Sequence, residues 1–198
     1  MKIQKNKLHI IKSIFFVLLL TPLIRLIILG INDALGANPI EFLERSTGTW
    51  SLVFLMLSLT ITPIRQWSGI NGFIQFRRML GLFMFFYASL HITSYIWLDY
   101  SFNWADIIKD IIKHPYVLVG AAAFMLTVPL AVTSSNFMIK LLRERWKQLH
   151  KSIYLTAILG VVHFLWLVKK DIREPLFYMA VLALLLGVRL YYKIINSQ

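Results

Sequence analysis

Six long apolar stretches, each near the ~20 residues that carry a helix across a bilayer, decide what this chain can fold into. They run from about Leu8 to Gly30, Thr49 to Ile64, Met79 to Leu98, Tyr116 to Thr133, Leu149 to Val168 and Pro175 to Tyr192. With 58% of 198 residues hydrophobic and 15% charged, a soluble domain would have too little interior to hide that surface. The expected fold is all-α, a polytopic membrane bundle of six transmembrane helices forming one domain over residues 1–198. The first stretch has no small-residue cleavage site and is followed by further spans, so it reads as a helix rather than a leader. Between the third and fourth spans, Trp104–Lys113 is amphipathic and is expected to lie in the interface.

Lysine and arginine give the orientation. With the N-terminus inside, 14 of the 21, Arg189 among them, fall on inner segments, 6 fall in outer loops, and Arg25 lies within the first span. Eight of the nine carboxylates then fall outside, with Glu144 the exception. The bias predicts an N-in, C-in bundle with both termini cytoplasmic. The net charge of +12 is spread over loops, so it marks orientation and not a nucleic-acid face. Cysteine is absent, which excludes disulfides, thiolate metal sites, iron–sulfur clusters and Cys-linked haem. No Gly-rich phosphate loop follows a strand, no internal repeat is evident, and the spans leave no room for a flavin- or nicotinamide-binding domain. Electron donors or acceptors would be other molecules.

Ligating groups at membrane depth are costly, so each is a functional candidate. His9 and His114 fall near the ends of spans and are expected in solvent. His91, in the third span, lies ~18 Å from its inner boundary at ~1.5 Å per residue, and His163, in the fifth, lies ~20 Å in. The two spans run in the same direction, so the imidazoles share a depth on different helices. That is what the two axial positions of six-coordinate haem iron need. The plainer alternative, interhelical hydrogen bonding by each histidine, fits one such residue better than two at one level.

His150 sits thirteen residues before His163, which on an ideal helix leaves the two side chains ~140° apart. A shared wall would therefore need local winding, or haems approaching from different sides. Level with His150 on the third helix is Arg77, fourteen residues before His91. Arginine has no free lone pair and so makes a poor axial ligand, but it suits haem propionates. His150 is thus a candidate for an inner site whose sixth ligand is unidentified, or an interfacial hydrogen-bonding residue. Arg25 is expected to snorkel outward, with contact to a haem propionate as the alternative, and Trp50, Trp97 and Trp166 to sit in the interfacial belt. Phe83, Phe85, Phe86 and Tyr87 could line a haem or pack against helices and lipid. Basic residues in the loop Asn136–Gln148 suit anionic lipid or a docking electron donor.

These residues carry a resemblance. Thr60-Ile-Thr-Pro63 with Arg65, Arg77-Arg78-Met-Leu-Gly81 and Leu90-His91-Ile-Thr-Ser-Tyr95 are followed by Pro115-Tyr116 and Ala131-Val-Thr-Ser134. Trp146-Lys-Gln-Leu-His150, Tyr154, His163 and Trp166 then complete the series. In order and spacing they resemble the MsrQ (YedZ) family, within the ferric-reductase-like transmembrane superfamily. The resemblance implies a haem-binding inner-membrane subunit with b-type haem on His91, His150 and His163, and an FMN whose contacts no residue here identifies. It further implies electrons taken from the quinone pool or a cytoplasmic flavin reductase. They would pass to a periplasmic molybdopterin partner, MsrP, which reduces methionine sulfoxide in envelope proteins. On this reading the chain is an electron-transfer subunit with no catalytic residue of its own. Arg77 stands where four-histidine members of the superfamily would have a further histidine, which leaves one haem or two. The rival readings are a stand-alone ferric or cupric reductase and a non-redox transporter using buried histidines as proton relays.

Overall fold

The computed structural model describes residues 5–195, with side chains from His9 onward; Lys2 lies outside the described residues. No strand occurs among them, and six helices are long and apolar enough to cross a membrane. The helices are α1 (Lys5–Ile31), α2 (Pro39–Ser68), α3 (Ile74–Ser94), α4 (Trp104–Lys113) and α5 (Pro115–Val132). They continue as α6 (Asn136–Leu142), α7 (Glu144–Leu149), α8 (Ser152–Leu167) and α9 (Arg173–Ile195). A 3₁₀ turn, Asn71–Phe73, precedes α3, and a π-helical turn, Tyr95–Asp99, extends it. This is a multi-pass membrane protein.

Several helix ends differ from the sequence expectation. The second span was expected from Thr49 to Ile64, but α2 begins ten residues earlier by number, at Pro39. Asn38 caps it by accepting the Glu41 N–H, and proline suits a first turn whose N–H groups lack partners. Pro63 was expected near the end, yet α2 runs on to Ser68 and stops where Gly69 adopts φ 70° and donates its N–H to Arg65 O. The expected fifth span, Leu149–Val168, is broken: α7 ends at Leu149 and α8 starts at Ser152. The preceding inner loop forms two short helices, α6 and α7, separated at Arg143, whose φ is 49°. Trp104–Lys113 is α4 as expected.

Proline inside a membrane helix frees a carbonyl that something else must satisfy. In α1, Pro22 has no N–H for Leu18 O, and the Thr21 hydroxyl donates to that oxygen at 2.7 Å. One residue on, the Tyr87 hydroxyl enters the ladder of α1, accepting from Leu23 N and donating to Leu19 O, each at 3.1 Å. In α2, Pro63 leaves Leu59 O without its usual donor, and the Arg189 guanidinium of α9 supplies one.

The core lies where α2 meets α3, around Leu52, Phe54, Leu55, Leu59 and Met84, with α8 closing over it through Ala157 and Val161 and α9 through Leu182 and Leu185. Small residues bring α2 and α3 close: Ser51 Oγ donates to Met84 O, and a Cβ at Gly81 would lie 3.9 Å from Ser58 Oγ. Phe83 and Tyr87 are buried against Phe54, so this part of the aromatic third span packs between helices. Trp97 and Trp166 are exposed as an interfacial belt requires, whereas Trp50 is half-buried and packs on the core beside Phe54. Ile10, Ile14, Val17 and Leu18 of α1 and Phe177 and Leu184 of α9 stay exposed, which is the surface lipid would cover.

Candidate functional site

Helices α2, α3, α5 and α8 surround the two central histidines. The His91 and His163 rings lie with centres 6.2 Å apart and planes at 70°. Two metal–imidazole bonds of about 2.0 Å, each with about 1.1 Å from nitrogen to ring centre, would span about 6.2 Å if the two rings faced each other across one metal. The pair thus has the spacing that a metal held between the two rings requires.

Each ring is fixed by a backbone carbonyl on the neighbouring helix. His91 Nδ1 lies 3.0 Å from Glu44 O on α2, and His163 Nδ1 lies 2.7 Å from Tyr116 O on α5. A carbonyl can only accept, so each Nδ1 carries the proton and each Nε2 keeps a lone pair. This is the outer-shell arrangement that orients a ligating histidine.

Each ring also lies over a glycine one turn beyond its carbonyl. A Cβ at Gly48 would lie 3.2 Å from His91 Cε1 and Nδ1. One at Gly120 would lie only 2.7 Å from the same atoms of His163. Carbonyl, glycine four residues on and histidine at a separation of 47 therefore occur twice, once on α2 and α3 and once on α5 and α8. No internal repeat was evident in the sequence, but the fold contains this one. Its residues, Glu44 and Tyr116 among them, share no side-chain chemistry beyond the glycine and the histidine. Only the paired Gly-to-His spacing could have signalled it. Four residues past His91, the π-helical turn places Tyr95 OH on Asp110 Oδ2 at 2.7 Å, tying α4 to α3.

His150 lies apart from this pair, at the break between α7 and α8. His150 N–H bonds Trp146 O, but Lys151 N–H reaches back only to Gln148 O and Tyr154 N–H only to Lys151 O. The chain is thus wound tightly here. The Thr133 hydroxyl donates to Pro129 O at 2.6 Å, so toward His150 Nε2, at 3.0 Å, it accepts. In this arrangement Nε2 carries the His150 proton and Nδ1 the lone pair. Trp146 stacks on the imidazole at 3.9 Å and donates its indole N–H to Thr133 O. Arg77 lies within electrostatic range of His150.

The other expected positions divide. His9 and Arg25 are exposed on α1. His114 was expected in solvent, but it is partly buried, with Nδ1 2.8 Å from Asp110 Oδ1. Burial alone would raise the Asp110 carboxyl; hydrogen bonds from Tyr95, His114 and Tyr100 outweigh it and hold the group below its usual value. Burial and the neighbouring Asp110 push the Tyr100 phenol up. Arg189, counted among the inner charges, instead turns its guanidinium into the bundle.

Residues 47–161 match the family described as ferric reductase like transmembrane component. The chain is 46% identical over 189 residues to the protein-methionine-sulfoxide reductase heme-binding subunit MsrQ of Herminiimonas arsenicoxydans, covering 94% of this chain and 87% of that one. It is 50% identical over 163 residues to the protein of the same name from Xanthomonas campestris pv. campestris, covering 82% and 75%. With that of Ralstonia nicotianae it shares 45% identity over 190 residues, covering 94% and 88%.

Proposed function

Because the chain belongs to the MsrQ family of ferric-reductase-like transmembrane proteins, we propose that it carries electrons across the membrane through haem held between His91 and His163. The observation that carries this is the 6.2 Å spacing of two imidazoles whose Nδ1 atoms are both committed to carbonyls. Haem would supply one-electron chemistry at this level of the bundle. Glu44 O and Tyr116 O hold the tautomer and the ring planes, and Gly48 and Gly120 give the rings room.

His150, with Arg77 beside it, is our assignment for a second haem. There Nδ1 is the free nitrogen unless the contact with Thr133 is released. The relatives' name places them in the protein-methionine-sulfoxide reductase system, and the same role is proposed for this chain. In that role an inner-membrane, N-in and C-in bundle would take electrons from the quinone pool or a flavin reductase, with FMN as a further cofactor. It would then deliver them to a periplasmic partner, MsrP. The Lys and Arg bias supports the orientation. The test is the visible spectrum of detergent-purified protein, with haem per chain. Sharp reduced α and β bands that vanish in His91→Ala and in His163→Ala are expected. A colourless protein after expression with ample haem would overturn the reading and favour the transporter alternative. Reoxidation of reduced protein by chelated iron, with no partner present, would favour a stand-alone metal reductase.

A further inference from the structure

Among the described residues, Arg189 is a cation within the bundle that no carboxylate pairs. Arg189 donates through Nη2 to Leu59 O, the carbonyl that Pro63 leaves free. A guanidinium has five N–H groups. Nε and Nη1 of Arg189, which carry three of them, are buried and make no well-formed hydrogen bond among the described residues, although the Tyr154 phenol is an acceptor within range. Its charged carbon lies 5.1 Å from the centre of the Tyr154 ring. Arg77 lies within electrostatic range of both Arg189 and His150, and its side chain makes no hydrogen bond or ion pair among the described residues. The carboxylate expected at this end, Glu144, is exposed and paired with Lys147. Two further hydroxyls on the same stretches of α2 and α8, Thr62 and Thr156, are buried without partners.

Satisfying one carbonyl needs a single N–H and no charge, so the Leu59 bond does not account for an arginine here. A buried guanidinium without a counter-charge is costly, and an oxyanion beside it would remove the cost while filling the unused donors. We propose that the buried guanidinium edge of Arg189, with the partly exposed Arg77 near it, forms an oxyanion site that takes the carboxylate or phosphate of a molecule bound at the His150 end of the bundle. Haem propionate, flavin phosphate and lipid phosphate share this chemistry. Assigning the acid to haem rests on the haem reading above; the site itself does not.

The test uses full-length protein in detergent, with hemin, FMN and phosphatidylglycerol titrated separately. Pro63→Ala restores a backbone N–H for Leu59 O, so the double variant Pro63→Ala/Arg189→Gln removes the charge without orphaning the carbonyl. Arg77→Gln is a second variant, at a side chain with no hydrogen bond to lose. The expected result is that one of the three probes binds both variants ~10–100-fold more weakly than their parents, the worth of a charge-assisted hydrogen bond, and that Arg189→Lys retains most of the affinity. The probe affected names the source of the acid. If all three probes bind both variants as tightly as their parents, Arg189 serves only Leu59 and the proposal fails. If hemin binds nowhere but FMN or phosphatidylglycerol binding falls, the haem reading fails and the oxyanion site stands.

Discussion

Replacing Gly120 with alanine should empty the histidine pair of haem while leaving the helices folded. The added Cβ would lie 2.7 Å from His163 Cε1 and Nδ1 and 3.2 Å from Cγ. Ordinary contact is about 3.5 Å or more, so the ring must retreat by roughly 0.8 Å. Its Nδ1 is held at 2.7 Å from Tyr116 O, on the same helix as the new methyl group, and the retreat stretches or breaks that bond. The lost hydrogen bond is worth about 1 kcal/mol. The larger effect is on the 6.2 Å spacing between the rings, since metal–ligand distances tolerate only about 0.2 Å. Disturbing such an outer-shell contact typically weakens metal binding ~10–100-fold. Gly48→Ala is the internal control. Its Cβ would lie 3.2 Å from the His91 ring, so a shift of roughly 0.3 Å suffices and haem loss should stay within ~3-fold. Because alanine favours a helix over glycine by up to ~1 kcal/mol, the haem-free Gly120→Ala protein should melt no lower than haem-free wild type. Haem per chain and the low-spin spectrum of both variants decide the matter. A Gly120→Ala protein with wild-type haem content and sharp α and β bands would refute the argument that this glycine makes room for a ligating ring.

Other consequences can be measured in the same preparations. His150→Ala should lower haem per chain by one while the His91–His163 spectrum persists; an unchanged ratio would remove His150 from the ligand set. Asp110→Asn should loosen α4 by about 1 kcal/mol through weaker bonds to Tyr95 and His114, read as faster amide exchange over residues 104–113; unchanged exchange would refute the clip. Asp110 has its carboxyl held below the usual value, so its contribution is present above the unfolded pKa near 3.8 and is lost as pH falls through the lower folded value. Amide exchange of α4 should therefore accelerate only below about pH 4, and Asp110→Asn should abolish that acid dependence. Arg143→Gly, at φ 49°, should stabilise the α6–α7 junction by about 1 kcal/mol, seen as a higher melting temperature; a lower one would show that the side chain matters more than the backbone.

Apolar length alone determined six spans and their order, because a lipid-exposed backbone has no alternative to the helix. The depth of His91 and His163 could also be counted from the sequence, since the rise per residue hardly varies. What lies across from a histidine is a tertiary matter. Glu44 and Tyr116 hold the rings through their backbone carbonyls, which any residue type supplies, and Gly48 and Gly120 act through an atom they lack. The break at His150 could not be read from an ideal helix, because it arises where α7 turns beneath Thr133 and Trp146 packs on the imidazole. Arg189 shows the same division. Its charge, read along the chain, looked like one more cytoplasmic anchor, whereas the proline in α2 and the packing of α9 against it turned the guanidinium inward. Sequence settles which segments leave water and how far along each a ligand sits. Which carbonyl, glycine or unbalanced charge meets that ligand depends on contacts between distant helices, and only the packed bundle brings those together.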